Sequence, residues 1–352
     1  MGKTMSINTI PSLDGIRAVA VLLVLFSHAG LGNMLPGGFG VTTFFFLSGY
    51  LITTLLLNEY QKNNRIDFRN FFIRRFFRLF PPLILTLVIS YLLIGLDILG
   101  GGVSLEGALS QIFYLANYHS IFNWPGEVPN GTGILWSLAV EEHFYLLFPF
   151  IFFFLIRNHD VKTITILLLV SCFIVLLWRT TLIFYYEAEA TRTYYATDTR
   201  IDSIIYGCIL AIAFNPIYSK PVEKMNLKAY IVLLVSLSFL AFSFLYRNEN
   251  FRETLRYTIQ GIALAPIFYL SIRHHEHVFF RFLNTKVMKK IGVYSYFIYL
   301  IHYVVIECIR EQAIVNSIAE LIIFSTMISI FYAFLIDRYY DVYFRKLRKR
   351  FR

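Results

Sequence analysis

Long apolar runs, most of them of eighteen residues or more, recur along the whole of this 352-residue sequence. A helix of that length crosses a hydrocarbon core about 30 Å thick, so each run predicts a membrane-spanning helix. Ten runs qualify, at 15–32, 38–57, 82–99, 133–156, 163–186, 201–217, 229–246, 257–272, 290–309 and 315–337. The sequence therefore predicts an all-α, polytopic membrane protein of about ten transmembrane helices, with interfacial or re-entrant helices, in a single domain over 1–352.

Basic residues collect in short loops beside these runs, and short loops rich in Lys and Arg stay in the cytoplasm. Whether the less apolar segment 105–122 crosses the membrane determines on which side each later loop lies. If it does not cross, 24 of the 32 Lys and Arg residues fall on one side of the membrane, whereas a crossing segment would move the basic loops 220–228 and 273–290 to the other side. We therefore interpret 105–122 as a re-entrant or surface helix, and we expect both termini in the cytoplasm.

The net charge of +10 indicates a membrane surface rather than nucleic acid, because the basic residues flank apolar runs. Membrane lipid is an expected partner, and 338–352 is expected to be a basic cytoplasmic tail that binds lipid headgroups. In 69–82, Arg and Phe interleave at helical spacing, which predicts an interfacial amphipathic helix ending at Pro81 and Pro82. The three cysteines lack metal-ligand spacing, so no metal is expected.

Placing a charged side chain inside a membrane span costs at least about 2.5 kcal/mol of insertion free energy, so each such residue is a candidate for a functional role. The first run holds Arg17 and His28. Eleven residues return a helix to within about 20° of its starting direction, so both face one side, roughly 16 Å apart. Alone, Arg17 would be interpreted as snorkelling to the headgroups and His28 as a core histidine bonded to a carbonyl. Their placement on one stripe favours a site, in which His28 is suited to accept a proton at neutral pH.

Two carboxylates, Glu141 and Glu142, lie well inside the fourth run. A glutamate held near His28 could orient the imidazole and stabilise its protonated form, and the alternative is an interfacial pair facing loop water.

The start of the sixth run carries Asp198, Arg200 and Asp202. The two aspartates are four residues apart and share a helical face if the helix begins early enough. On the preferred topology His28, Trp136, Glu141 and this polar cluster approach the outer half of the membrane, so we expect Trp136, Asp198, Arg200 and Asp202 to bind a substrate there.

Arg75 and Arg78 lie three residues apart at the predicted inner surface, where they could bind phosphates as forked donors or attract anionic lipid. In the second run, Ser48 and Gly49 would let another helix or a ligand approach closely.

In this order the motifs resemble the acyltransferase-3 family, bacterial membrane enzymes that O-acylate lipopolysaccharide, exopolysaccharide and other glycans. The resemblance covers nearly the whole chain and is carried by LDGIRAVAVLLVLFSH, FFFLSGYLIT, RRFFRLFPP, LWSLAVEEHFYLLFP, DTRIDSIIYG and YSYFIYLIHY. One departure is His143, where the family usually has Gln after the two glutamates. The chain ends at the basic tail, so we expect it to lack the extracytoplasmic hydrolase-like domain of some members.

The resemblance implies an O-acetyltransferase of the bacterial cytoplasmic (inner) membrane. It makes His28 the catalytic base, Arg17 its partner motif residue, and Arg75 with Arg78 a cytoplasmic contact for acyl-coenzyme A, with no permanently bound cofactor. The expected reaction moves an acetyl group from acetyl-coenzyme A, with its thioester between the first two spans, to a hydroxyl of a cell-surface or lipid-linked glycan.

Two other classes of function fit less well. A transporter also places paired charges inside ten spans, but no span is plainly broken and no inverted repeat is visible. A structural scaffold does not explain Glu141 and Glu142. The acceptor glycan, the position acylated, the identity of the acyl chain and the oligomeric state stay open.

Overall fold

The computed structural model describes residues 10–124, 126–219, 222 and 224–351. In these residues the chain is helical, and the one β-type contact is an isolated bridge between Gly101 and Pro129. Lys3, Lys220 and Arg352, which are predicted to be cytoplasmic, lie outside the described residues. The α-helices are α1 Leu13–Phe26, α2 Gly37–Asn63, α3 Phe68–Gly95, α4 Leu105–Ile112, α5 Ala116–Ile121, α6 Trp136–Asn158, α7 Val161–Phe184, α8 Ala190–Tyr195, α9 Thr197–Ala213, α10 Leu227–Leu245, α11 Glu249–Glu253, α12 Leu255–Arg273, α13 Val278–Arg281, α14 Lys286–Glu311, α15 Ile318–Leu335 and α16 Asp341–Lys349.

Ten helical stretches in the described part of the chain are long and apolar enough to cross a membrane. They are Leu13–Leu31, Gly37–Asn63, Phe68–Gly95, Thr132–Asn158, Val161–Phe184, Ala190–Tyr218, Leu227–Leu245, Leu255–Arg273, Lys286–Glu311 and Ile318–Lys349. Helices satisfy their backbone polar groups internally, which a hydrocarbon environment requires. The stretches match the ten predicted runs one for one, so the predicted all-α polytopic class is confirmed.

Segment 105–122 folds into two short helices, α4 and α5, of eight and six residues. Ser104 caps α4 by accepting a hydrogen bond from the Gly107 amide at 3.0 Å. Neither helix is long enough to cross a bilayer, in agreement with the interpretation of this segment as re-entrant or superficial.

The predicted break at Pro81 and Pro82 is wrong, because α3 continues through both prolines to Gly95. A proline removes one backbone hydrogen bond from a helix, and membrane helices tolerate this where neighbouring side chains supply donors. Pro81 and Pro82 lack the N–H groups that would donate to the Phe77 and Arg78 carbonyls. Two other carbonyls of this region accept from distant tyrosines, Leu79 from the Tyr296 hydroxyl at 2.7 Å and Pro81 from the Tyr340 hydroxyl at 3.2 Å. The basic tail is also helical, since it forms α16 and packs against α3.

The chain divides into two compact units. Unit 1 comprises the described residues up to Ala20, together with Gly38–Ile66 and Val140–Gly292; unit 2 comprises Val21–Gly37, Asp67–Ala139 and the described residues from Val293 onward. In unit 1, α2 and α9 approach backbone to backbone, because a Cβ atom at Gly49 would overlap the Ile204 carbonyl and one at Gly207 would overlap the Phe46 carbonyl. In unit 2, Leu83, Leu87, Ala116, Leu135 and Leu300 form one buried apolar cluster.

Candidate functional site

The predicted site residues fall into two groups, one in each unit. Unit 2 contains His28, Arg75, Arg78 and Trp136, and unit 1 contains Arg17, Ser48, Gly49, Glu141, Glu142, Asp198, Arg200 and Asp202.

His28 lies where the first spanning helix changes geometry. Helix α1 ends at Phe26 and a π-helical segment, Ser27–Leu31, follows, with Gly30 at a φ of 116°. A positive φ of this size suits glycine because it has no Cβ atom. Such wide turns are rare and recur at functional sites. The Arg310 Nη2 atom donates to the His28 carbonyl at 2.8 Å, so a side chain from another span satisfies this backbone oxygen.

The His28 ring meets a second imidazole, and we call His28 and His302 the histidine pair. His28 Nδ1 lies 2.9 Å from His302 Nε2. The two ring planes are within 8° of parallel and their centroids are 5.2 Å apart, a separation that fits a hydrogen bond between ring edges. Tyr303 stacks on the His28 ring with centroids 4.5 Å apart. The His302 side chain is fully buried, whereas His28 is half-buried.

His302 is itself held by the backbone of α14. Its Nδ1 atom lies 2.8 Å from the Tyr299 carbonyl and 3.3 Å from the Ile298 carbonyl. The Tyr299 hydroxyl in turn bonds to the Ser137 hydroxyl at 2.7 Å, which ties this turn of α14 to the start of α6. The histidine pair therefore belongs to a hydrogen-bonded network inside unit 2.

The predicted orienting partner of His28 is a glutamate, and the side chain that the structure shows bonded to His28 Nδ1 is His302. Glu141 belongs to unit 1, where its Oε2 atom accepts a hydrogen bond from the Tyr145 hydroxyl at 2.9 Å. Glu142 is half-buried beside it on α6, and His143 Nδ1 lies 2.7 Å from the Thr197 hydroxyl. The catalytic roles of Glu141 and Glu142 stay predictions.

Arg17 pairs with Asp14 one helical turn earlier, with 2.8 Å between Nη1 and Oδ1. The sequence alone predicts Arg17 as a partner of His28 or a snorkelling side chain and does not predict this ion pair. Gly49 contacts the α9 backbone, which favours the helix-packing alternative for that residue, and Ser48 beside it is half-buried.

Unit 1 buries a second polar group, the buried arginine cluster of Arg179, Arg200, Asp202 and Tyr257. The Arg179 and Asp202 side chains are fully buried and form an ion pair of 2.7 Å. The Arg200 guanidinium lies over the Tyr257 ring, 4.0 Å from its centroid, and is also fully buried. A substrate would reach Arg200 or Asp202 only if this cluster opened, so their predicted role in substrate binding stays a prediction.

Asp198 and Trp136 are the other two predicted substrate contacts. Asp198 lies in the first turn of α9, where both its carboxylate oxygens accept from Arg192, at 2.9 and 2.6 Å, and Trp178 Nε1 donates to it at 2.7 Å. Helix α9 begins at Thr197, so Asp198 and Asp202 lie on one helix as expected. Trp136 is buried at the start of α6.

On α3, Arg75 is half-buried and Arg78 is exposed. Their neighbour Arg74 donates to the Phe351 carbonyl at 2.6 Å, so the basic C-terminal segment lies beside this part of α3. The two predicted contacts for coenzyme A therefore lie close in sequence to a contact between α3 and the C-terminal segment in unit 2.

Sequence reasoning gave no role to His302, Arg310 or Arg179. His302 and Arg179 carry the same signal that singled out His28, a titratable side chain inside an apolar run. The signal for Arg310 was weaker, because it lies at the end of its span. None of these residues has a local pattern that names its partner, since His28 and His302 are separated by 274 positions.

The sequence is similar to a known protein family and to several curated proteins. A model of an acyltransferase domain matches residues 10–338. The O-acetyltransferase OatA of Staphylococcus aureus is 32% identical over 95% of this chain and 57% of its own length. The peptidoglycan O-acetyltransferase OatA of Listeria monocytogenes is 34% identical over 84% of this chain and 49% of its own length. The chain thus spans about half the length of these curated relatives, and no solved structure matches it.

In the described part of the chain, ten helices suited to span a membrane bury histidine, arginine and carboxylate side chains, which defines a polytopic membrane protein with polar sites inside its helical units. The chain belongs to the acyltransferase-3 family, as its motifs had indicated.

Proposed function

We propose that this protein is an O-acetyltransferase that moves an acetyl group from acetyl-coenzyme A to a hydroxyl of a cell-envelope glycan, with His28 as the general base. The observation that carries the proposal is the setting of His28: a half-buried imidazole near the end of a span, bonded at Nδ1 to His302. Family membership and the names of the O-acetyltransferase relatives support the class of reaction.

In the proposed step, the acceptor oxygen attacks the carbonyl carbon of the thioester while its proton passes to His28. The carbon–sulfur bond then breaks, and the departing thiolate takes the proton from the imidazolium. The products are an acetyl ester on the glycan and free coenzyme A. Arg75 and Arg78 bind the phosphates of the donor in this proposal, while Arg17, Glu141 and Glu142 stay predicted catalytic residues that single substitutions test.

The acceptor in this proposal is peptidoglycan, because the Listeria relative is named for that glycan. Lipopolysaccharide and exopolysaccharide, which the motif resemblance also implied, are the alternative acceptors. The proposed location is the bacterial cytoplasmic membrane, with the termini in the cytoplasm and the end of the first span that carries His28 on the outer side.

The test supplies acetyl-coenzyme A labelled in its acetyl group to membranes containing wild type, His28→Ala or His159→Ala. His159 is an exposed loop histidine and serves as the control. We expect His28→Ala to lower labelling of peptidoglycan by about 10²-fold or more, the size of a general-base contribution, and His159→Ala to leave it unchanged. Equal labelling by His28→Ala and wild type would reject the role of His28. Label in another glycan would correct the acceptor.

A further inference from the structure

We infer that His302 is a positioning residue that fixes the tautomer of His28 and so leaves His28 Nε2 as the proton acceptor. This inference rests on the proposed function, in which His28 is the general base that accepts the proton. It follows from three contacts inside unit 2: His302 Nδ1 with the Tyr299 carbonyl, His302 Nε2 with His28 Nδ1, and Arg310 with the His28 carbonyl.

The proton on His302 is fixed by its carbonyl partners. Nδ1 faces the Tyr299 oxygen at 2.8 Å, and a carbonyl oxygen only accepts hydrogen bonds. Nδ1 of His302 must therefore carry a hydrogen. Because the side chain is fully buried, no water competes for this bond.

A neutral imidazole has one N–H, so His302 Nε2 is an acceptor. The 2.9 Å bond to His28 is then made by hydrogen on His28 Nδ1, which leaves the lone pair of neutral His28 on Nε2. Two N–H groups cannot face each other at this distance, so the pair does not carry two charges. When Nε2 accepts a proton, the Nδ1–H bond to His302 becomes charge-assisted and therefore stronger. His302 would thus do what the carboxylate does in a Ser-His-Asp triad, which is to hold the catalytic histidine in one tautomer and orientation, but with a neutral imidazole.

Helix α14 also holds His28 at a second point. Arg310, two turns beyond His302, donates to the His28 carbonyl at 2.8 Å, and Tyr303 covers one face of the ring. The ring and the backbone carbonyl of His28 are thus both hydrogen-bonded to side chains of α14. This arrangement keeps Nε2 in one place without help from a flexible loop.

The test records nitrogen spectra of the full chain in detergent, labelled with ¹⁵N-histidine and assigned with His28→Ala. We expect wild-type His28 to carry its hydrogen on Nδ1. His302→Phe should transfer it to Nε2, the form that free histidine favours, and should lower kcat for acetyl transfer by about 10²-fold or more with the KM for acetyl-coenzyme A unchanged. His302→Gln, whose amide oxygen can accept from Nδ1, should keep the Nδ1–H form and most of the activity.

His274→Phe is the matched control, because His274 is also buried and also bonded to a carbonyl, that of Val222 at 2.7 Å. It should leave the His28 tautomer and kcat unchanged. An Nε2–H tautomer in the wild type, or an unchanged tautomer in His302→Phe, would overturn the inference. Normal glycan labelling by His28→Ala, together with the expected tautomers, would reject the proposed function and leave the tautomer assignment standing.

Discussion

Arg179 and Arg192 make the same kind of bond to an aspartate at very different depths. The Arg179–Asp202 pair is fully buried at 2.7 Å, whereas the Arg192–Asp198 pair spans 2.6 Å with side chains 23% and 43% exposed. Removing one member of a buried pair leaves an uncompensated charge and costs about 3–5 kcal/mol, while an exposed pair contributes about 0–1 kcal/mol.

We therefore expect Arg179→Met to lower the thermal unfolding temperature of the detergent-solubilised protein markedly. The same substitution at Arg192 should change the unfolding temperature little. Unfolding scans of the two variants beside wild type make the comparison. Similar shifts for both would show that burial does not set the importance of the pair.

These residues also show what the sequence can predict about a site. The cost of a charge in hydrocarbon singled out His28, Glu141 and Glu142 without any structure. It could not predict that His302 would take the partner position, because that contact joins the first and ninth spans. It also could not show that Asp202 is already neutralised by Arg179, a residue of another helix.

Helix α2 depends on glycine where it meets α9. A Cβ atom at Gly49 would overlap the backbone carbonyl of Ile204, and backbone cannot move aside as a flexible side chain can. Gly95, at the end of α3, has open space where its Cβ would stand. We expect Gly49→Ala to reduce folded yield and unfolding temperature sharply. Gly95→Ala should be neutral or slightly stabilising, because alanine favours helix by about 1 kcal/mol over glycine. Size-exclusion profiles and unfolding scans compare them, and a tolerated Gly49→Ala would argue against close packing here.

Helix α3 carries the proposed donor contacts. We expect Arg75→Ala combined with Arg78→Ala to raise the KM for acetyl-coenzyme A by roughly tenfold or more, as the loss of charge-assisted phosphate bonds of about 1.5–3 kcal/mol predicts. The matched control is Lys286→Ala with Lys289→Ala, which removes two exposed charges at the same spacing on the same predicted side. Initial rates against donor concentration give both constants. An unchanged KM in the arginine variant would return those residues to lipid binding.

Ten stretches of the described chain are long and apolar enough to cross a membrane, and ten crossings would place both ends on one side, as predicted. In a variant without its native cysteines, single cysteines at Val103 and Asn123 flank the segment 105–122, and one at Asn64 lies in a predicted cytoplasmic loop. We expect a membrane-impermeant thiol reagent to label the first two in intact cells and Asn64→Cys only after permeabilisation. Labelling of just one flank would mean that 105–122 crosses.

The number of spans was predictable from sequence because each apolar run has to match the thickness of a bilayer. The residues at which the spans begin and end were less predictable. Proline ordinarily ends a helix, yet α3 continues through Pro81 and Pro82 to Gly95. Beside the prolines, Tyr296 and Tyr340, which lie far away in the sequence, bond to carbonyls of α3. Likewise, the π-helical turn that presents His28 is bonded to α14 through Arg310, a contact that no local pattern encodes.

The most direct test of the account is a double-mutant cycle on the histidine pair, read as kcat for acetyl transfer by purified protein in liposomes. If His302 acts only by positioning the proton acceptor at His28, replacing it has nothing left to disturb once His28 is gone. We predict that His28→Ala and His28→Ala combined with His302→Phe have the same residual rate, although His302→Phe alone costs about 10²-fold. A combined variant slower than His28→Ala by the full factor lost in His302→Phe alone would contradict the account.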